Sequence, residues 1–505
     1  MNAATKVVFN TIILYVKILL AMAISLITVP LVLGALGASD YGLYNLVAGV
    51  VAMLSFLNAS LTLSSQRYMS VAMGAGDTGK INLIYNTSFF LHLLLGIFVV
   101  LLFECGAFFI GLLNIEPERM WVAKIIYQFL VVSTFVRIVS VPFDALINAH
   151  EDMLTFAVIE IADSLLMMAL ALSLDAVNMD KLLFYGLCVC LISILTMLMK
   201  YGWCRFAYKK NRINLFRNRK NLRSREMFSF AGWNLFGGIA IIGRNQGVAI
   251  IINIFLGTIA NAAYGIANHI NGALSRFSVT FQKAINPQLM KSEGMNDRER
   301  LLRISFVSSK YSVLALTLFA IPLIIEMPDV LRIWLKEKIP PYTMELSRYI
   351  LLMTILYQYS VGIMSAIQAV GKIRNYQIIM GCIVLLNVPM AYIVISAGFP
   401  VYYVTIGYVV FETISLLVRV VLAKNIVNMQ PSKYIESVVI PTAVVIGLST
   451  IVCLIPHYLL YSLWPRLIVT SLVYGILFIV LTWMIAVDKM QKAVVIQKLR
   501  KWRKK

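Results

Sequence analysis

Apolar runs of about 20 residues recur along the whole chain, and no other feature limits its fold as tightly. A run of that length crosses the hydrocarbon core of a bilayer as a helix, because lipid offers the backbone no hydrogen-bond partners. Fourteen runs can be placed, centred near residues 21, 53, 98, 133, 164, 192, 241, 273, 314, 357, 386, 412, 444 and 475. Their blurred boundaries leave twelve or thirteen as alternatives. The first run, from Val7 to Leu33, is too long for a signal-peptide core and no small-residue cleavage site follows it, so it reads as a transmembrane helix. Of the 505 residues, 60% are hydrophobic and 13% charged, against roughly half and one-quarter in soluble proteins. The longest strongly polar stretch is only about 20 residues, which excludes a large extramembrane catalytic domain. The six cysteines form no CxxC pair and read as packed thiols.

A net charge of +21 suggests nucleic acid only when the cations share a folded polar surface. Here they sit in short connections, where they report orientation. With the N-terminus in the cytoplasm, the inside connections and tail hold thirty Lys and Arg, ten of them between Lys200 and Arg225. The outside loops hold six: Arg119, Lys181, Arg332, Lys336, Lys338 and Arg466. That asymmetry predicts both termini in the cytoplasm.

The Lys200–Arg225 stretch divides six spans from eight, and three echoes flank it. Asn10 matches Asn234, Tyr41-Gly42-Leu43-Tyr44-Asn45 matches Tyr264-Gly265-Ile266-Ala267-Asn268, and the segment 141–149 matches 361–369, at offsets of 224, 223 and 220. Six spans per copy is even, so the halves share an orientation. The expected architecture is an all-α integral membrane protein of about 14 transmembrane helices, with two parallel six-helix lobes around a central cavity plus two C-terminal helices. Residues 1–215 form the first lobe, 216–430 the second, 431–486 the two additional spans and 487–505 a basic amphipathic cytoplasmic tail. In that tail Val494, Val495, Leu499 and Trp502 would dip into the inner leaflet.

Two motifs fail. Gly74-Ala75-Gly76-Asp77-Thr78-Gly79-Lys80 fits a phosphate-binding loop, but Ile81 follows where Ser or Thr is needed and no strand precedes it. It reads as a turn between spans 2 and 3. His150-Glu151-Asp152 reads as a solvated loop. No metal or cofactor is expected.

The informative residues are ionisable groups within spans, each costing about 2.5–3.5 kcal/mol at mid-helix if left in lipid. Lys17, Arg137, Arg244 and Arg276 lie in spans 1, 4, 7 and 8. Span 4 places Ser133, Arg137, Ser140 and Asp144 on one stripe, span 7 has Arg244-Asn245-Gln246, and span 8 repeats Asn261, Asn268, Asn271, Ser275 and Ser278. Either the four cations line a wet cavity or they pair between helices, Arg137 with Glu160 or Asp163 for example. Lys17 is near enough to its helix start to snorkel. The acids are Glu104, Asp144, Glu160, Asp163 and Glu412. Asp144, Glu160 and Asp163 would either carry a coupling proton or sodium ion or orient spans 4 and 5 by pairing. A cavity dominated by cations would draw a polyanion, phosphate or pyrophosphate above all.

The run from Asn10 through Lys17 to Pro30-Leu31-Val32-Leu33-Gly34-Ala35-Leu36-Gly37-Ala38-Ser39-Asp40-Tyr41-Gly42-Leu43-Tyr44-Asn45 resembles the opening of bacterial polysaccharide flippases. These form the O-antigen/polysaccharide (lipid-linked oligosaccharide) flippase family of the multidrug/oligosaccharidyl-lipid/polysaccharide exporter superfamily. Ser229-Phe230-Ala231-Gly232-Trp233-Asn234 and Asn286-Pro287-Gln288 resemble the opening of its second half. The resemblance covers nearly the whole chain. It implies a multi-pass protein of the bacterial inner membrane that moves undecaprenyl-pyrophosphate-linked oligosaccharide to the periplasmic leaflet by alternating access. The implied partners are that lipid-linked oligosaccharide, membrane lipids and polysaccharide polymerase and assembly proteins, with no nucleic acid. Related lipid flippases hold pyrophosphate with cavity arginines in spans 1, 2 and 8. Lys17 and Arg276 match by span and Arg244 adds a neighbour, but span 2 offers only Arg67 at its end, which leaves the clamp open. Asp40 resembles a family position and also reads as a helix cap.

The rival within the superfamily, a multidrug cation antiporter, calls for acids where this chain has cations. A polymerase or ligase calls for a large outside loop, whereas the longest here, from Met327 to Thr343, is under 20 residues.

Overall fold

A computed structural model describes residues 3–52, 55–107, 117–209, 224–335, 339–488 and 492. Those residues form helices, turns and short connections, with no β-strand among them. The helices are α1 (Ala3–Ala52), α2 (Ser55–Gly74), α3 (Thr78–Ala107), α4 (Met120–Ala149), α5 (Met153–Ser173), α6 (Lys181–Ala207), α7 (Ser224–Gly294) and α8 (Arg298–Ile325). There follow α9 (Met327–Leu335), α10 (Thr343–Val370), α11 (Arg374–Leu385), α12 (Asn387–Ser396), α13 (Tyr402–Val427), α14 (Pro431–Tyr434), α15 (Ile440–Leu459) and α16 (Leu463–Leu481).

Two of these are longer than any bilayer. α7 has 71 residues, about 105 Å at the helical rise and some three times a hydrocarbon core. It breaks at Gly257, where φ is 79° and ψ −175°, and α1 breaks likewise at Gly37, where φ is 78° and ψ 167°. Glycine occupies such backbone without the clash a Cβ would bring. Among the described residues, twelve helices are long and apolar enough to cross a membrane. Dividing α7 at Gly257 adds one span, whereas Ser64, Ser65, Gln66 and Arg67 make α2 too polar to qualify by hydropathy.

The repeat is legible in the backbone. Positive φ recurs at a spacing of 220 residues: Gly37 and Gly257 at the breaks, Gly76 and Asn296 after α2 and α7, Glu151 and Gly371 after α4 and α10. The turns after α2 and α7 also share their bonds. Ala75, Gly76 and Asp77 donate to Val71, Met73 and Ala72, as Met295, Asn296 and Asp297 donate to Lys291, Glu293 and Ser292. Both are left-handed helix ends that satisfy the last carbonyls.

The chain divides into two compact units, Met1–Gly238 with Met290–Asp297, and Ile239–Leu289 with Arg298–Lys505. In the first, Val99, Phe103, Ile126, Tyr127 and Leu130 bury together, and Val32, Leu170, Leu174, Tyr185 and Val189 form a second cluster. In the second, Val248, Ile252, Tyr264, Ile350, Val404 and Tyr408 make the core, and the Tyr264 and Tyr408 hydroxyls meet at 2.9 Å. The connection before α10 is not featureless: α9 seats Met327 and Leu331 against Leu351. Most of the basic stretch (210–223) and the proposed tail helix with Val494, Val495, Leu499 and Trp502 lie outside the described residues.

Candidate functional site

In the first unit, four charges of alternating sign run through four helices. Lys17 of α1 lies 3.4 Å from Glu160 of α5. Lys200 of α6 lies 3.1 Å from the other Glu160 oxygen and 3.0 Å from Asp144 of α4. The Phe156 ring lies 5.6 Å from the Lys17 ammonium and 5.9 Å from that of Lys200, within cation–π range. The charge pattern of the sequence assigns Lys200 to the basic loop. The structure corrects this, placing it inside α6 with a side chain only 8% exposed. The missed signal is periodic: Ser193, Thr196, Lys200 and Cys204 recur at helical spacing and all are buried.

Arg137 pairs with neither Glu160 nor Asp163. Its side chain is exposed, its Nε donates to Ser193 Oγ at 3.4 Å, and it has no ion pair among the described residues. The physical reason is competition, since the two lysines take Glu160. Asp163 accepts from Thr196 Oγ1 at 2.7 Å and has no ion pair among the described residues.

In the second unit, Arg244 donates to Asn245 Oδ1 at 3.1 Å, and its guanidinium lies 5.0 Å from the Tyr408 ring centre. The Arg276 side chain has no hydrogen bond or ion pair among the described residues. Near it in sequence, Asn271 Oδ1 accepts from Thr354 at 2.7 Å and from Ser275 at 3.3 Å. Glu412, by contrast, is closely paired with Arg419, both almost fully buried. Arg419 also donates to Ser360 Oγ at 2.9 Å and lies 5.4 Å from the Tyr357 ring centre. The sequence singles out Glu412 but not Arg419, although seven residues is two turns and puts both on one face of α13. Of the arginines the sequence marks in the spans, Arg137, Arg244 and Arg276 have no carboxylate in ion-pair range among the described residues, and Arg348 of α10 is bonded to the Ile324 and Ile325 carbonyls.

Two ionic knots close the ends of the first unit. At the end where the chain begins, the solvated loop expected at His150-Glu151-Asp152 is instead packed. Glu151 is buried, lies 3.6 Å from the Lys6 ammonium and pairs closely with Lys291, while its carbonyl accepts from Asn10 at 3.2 Å. Asp152 accepts from Trp203 at 3.0 Å and Tyr208 at 3.1 Å. His150 stacks on Tyr208 with ring centres 3.9 Å apart. Burial, then the charges of Lys291 and Lys6, push its imidazole down to about 4. At the other end Arg119 holds Asp40 at 2.8 Å and also Asp180, so Asp40 is an ion-pair partner. Arg67 is buried between the Tyr68 and Phe230 rings, 4.6 and 4.9 Å from their centres. The turn Gly74–Asp77 follows a helix, and Asp77 Oδ1 accepts from the Lys80 backbone N–H at 2.9 Å, so the loop-like motif cradles its own backbone.

The profile of a family described as "Polysaccharide biosynthesis protein" matches residues 7–293. No curated protein matches the chain. Several solved structures share its fold. One is an outward-facing conformation of a multidrug resistance MATE family transporter of the MOP superfamily, with 15% identity over 85% of this chain and 96% of that one, at a TM-score of 0.72. A MOP superfamily transporter from Pyrococcus furiosus, described as having a binding pocket of reverse polarity that suggests a different function, gives 13% identity, 85% and 96% coverage and a TM-score of 0.73. A MATE transporter in its straight conformation gives 15% identity, 85% and 97% coverage and a TM-score of 0.72. At these identities the likeness shows the fold.

Proposed function

The chain belongs to the polysaccharide biosynthesis protein family, and from that membership we propose that it is a secondary transporter, not an enzyme. It moves undecaprenyl-pyrophosphate-linked oligosaccharide from the cytoplasmic to the periplasmic leaflet of a bacterial inner membrane by alternating access. The distribution of loop cations supports cytoplasmic termini. One observation carries the choice of substrate: arginines within the spans that have no ion pair among the described residues. Acids in the spans are largely matched, Asp144 and Glu160 by lysines and Glu412 by Arg419. Arg137, Arg244 and Arg276 retain no carboxylate among the described residues. Guanidinium in a low-dielectric setting without a counter-ion is costly, and a pyrophosphate, which it meets bidentately, supplies one.

The test is leaflet exchange in proteoliposomes, read with a membrane-impermeant sugar-cleaving enzyme on labelled undecaprenyl-pyrophosphate oligosaccharide. Each of Arg244→Ala and Arg276→Ala removes a charge-assisted contact of about 1.5–3 kcal/mol, and should weaken substrate use by roughly 10- to 100-fold at unchanged protein level. Wild-type rates in both variants would sink the arginine assignment. Asp163, which has no ion pair among the described residues, favours the second reading, a cation antiporter. Cationic dye efflux under an ion gradient, without lipid exchange, would establish that reading instead.

A further inference from the structure

We infer that five clustered aromatic rings at one end of the second unit form a sugar-binding platform, which takes the oligosaccharide of the lipid-linked substrate by its pyranose faces. This rests on the flippase reading above and adds the site that holds the glycan. The rings come from two turns and the helices that follow them. Tyr402, at the start of α13, stands at the centre. Its ring centre lies 5.0 Å from that of Tyr403, 6.1 Å from Tyr342 and 6.5 Å from Tyr349, and Phe399 lies 5.4 Å beyond Tyr403. Tyr402 packs on the buried core that holds Ile350 and Val404, while Tyr342, Phe399 and Tyr403 are exposed.

Both turns are fixed by their own bonds. Ahead of α10, Thr343 donates its hydroxyl to the Pro340 carbonyl at 2.7 Å. Beside it Tyr342 stands at φ 65°, left-handed backbone that a residue with a Cβ adopts at a cost. Between α12 and α13, Gly398 and Phe399 donate to the Ile395 and Val394 carbonyls at 3.0 and 3.2 Å, a closed helix end that fixes Phe399. Rings held this way lose little freedom when a ligand arrives.

Two observations separate this platform from an aromatic belt at a lipid surface. A belt follows the membrane interface around a whole protein. Yet at the 220-residue spacing of the repeat, the first unit carries Val122, Phe129, Met179, Leu182 and Leu183 in the corresponding places. The platform also includes a carboxylate. Glu345, in the first turn of α10, shares a helix face with Tyr349 and is half-buried, and its side chain has no hydrogen bond or ion pair among the described residues. A pyranose ring has faces of C–H groups and a rim of hydroxyls. Tyrosine faces meet the C–H groups by dispersion, while phenol hydroxyls and the acceptor-only carboxylate bond the rim. An acyl chain would leave the carboxylate unmet, and a phosphate would be repelled by it. The distribution of loop cations supports an outer position for this end, where the glycan arrives.

The test uses the full chain in nanodiscs. Its probe is the glycan released by mild acid from the lipid-linked oligosaccharide that the chain moves in the leaflet-exchange assay. Saturating the aromatic protons should transfer magnetisation to the sugar C–H protons. Tyr342→Leu with Tyr402→Leu, which keeps the surface apolar, should cut that transfer by about 3- to 10-fold, and Tyr402→Phe should hold it within about twofold. No transfer to the glycan in wild type, transfer confined to lipid protons, or transfer unchanged in the double leucine variant overturns the inference and leaves the flippase reading standing. Absence of leaflet exchange by wild type overturns the flippase reading and the inference with it. The wild-type measurement depends on no variant folding.

Discussion

Glu151 carries a cost that Gly371, its counterpart 220 residues on, does not. Both have positive φ, 61° and 87°, a region that costs a residue with a Cβ about 1–2 kcal/mol and glycine almost nothing. The glutamate in that position supplies a carboxylate that holds Lys6 and Lys291 together. Burial, and after it the same two cations, keeps neighbouring His150 neutral, with its imidazole down at about 4. An unfolded chain titrates near 6.5, so between about 6.5 and 4 it binds a proton that the folded chain refuses. Stability contributed above 6.5 is thus lost as pH falls through that window. We expect thermal unfolding in detergent to show this acid slope, and His150→Gln to flatten it; an unaltered slope would assign the acid sensitivity elsewhere. The sequence displayed His150-Glu151-Asp152 plainly, yet as a loop. The partners of Glu151 (Lys6 and Asn10 before it, Lys291 after it) lie more than 130 residues away, and no local pattern connects them.

Helix ends show the same division. The turn after α2 was readable from Gly74, Gly76 and Asp77, but the need for glycine at 74 was not. A Cβ on Gly74 would lie 2.1 Å from the Lys291 carbonyl oxygen, and one on Gly294 would lie 2.0 Å from that of Val71. The ends of α2 and α7 touch backbone to backbone, which lets Lys291 reach Glu151. Gly74→Ala or Gly294→Ala should force them apart at about 1–3 kcal/mol. Each should lower the unfolding temperature and speed trypsin cleavage in the segment 290–303. Normal stability in both would show that the contact yields cheaply. Interior elements were legible where hydrophobic runs were long, and α4, α6, α10 and α13 fall where they were expected. The polar α2 and the amphipathic α9 depart from the run pattern because neighbouring helices, not lipid, meet their polar groups.

At the scale of the molecule, the two C-terminal spans are bolted to the second unit. Lys310, 3% exposed, donates to the Ala486 carbonyl at 3.0 Å and lies 3.5 Å from Asp488. Glu326, 1% exposed, meets His457 at 2.8 Å and Arg466 at 3.3 Å. A chain ending after Asn428 would bury both charges without partners, at about 3–5 kcal/mol for each broken pair. It should accumulate poorly by fluorescence-detected size exclusion, and Lys310→Met with Glu326→Gln should restore part of it. Full accumulation of the truncated chain would mean the spans are dispensable to folding. By itself the sequence determined the membrane class, the succession of apolar helices and the presence of an internal repeat, because the match of apolar length to bilayer thickness is local and recurs along the chain; the constant 220-residue spacing came from the backbone. The sequence also marked Lys17, Arg137, Arg244 and Arg276 as costly. Only the tertiary structure decided which of them is neutralised. Ion pairing acts over a few ångströms between helices distant in sequence, so it took the packing of α1, α4, α5 and α6 to give Glu160 to Lys17 and Lys200 and leave Arg137 without a carboxylate among the described residues.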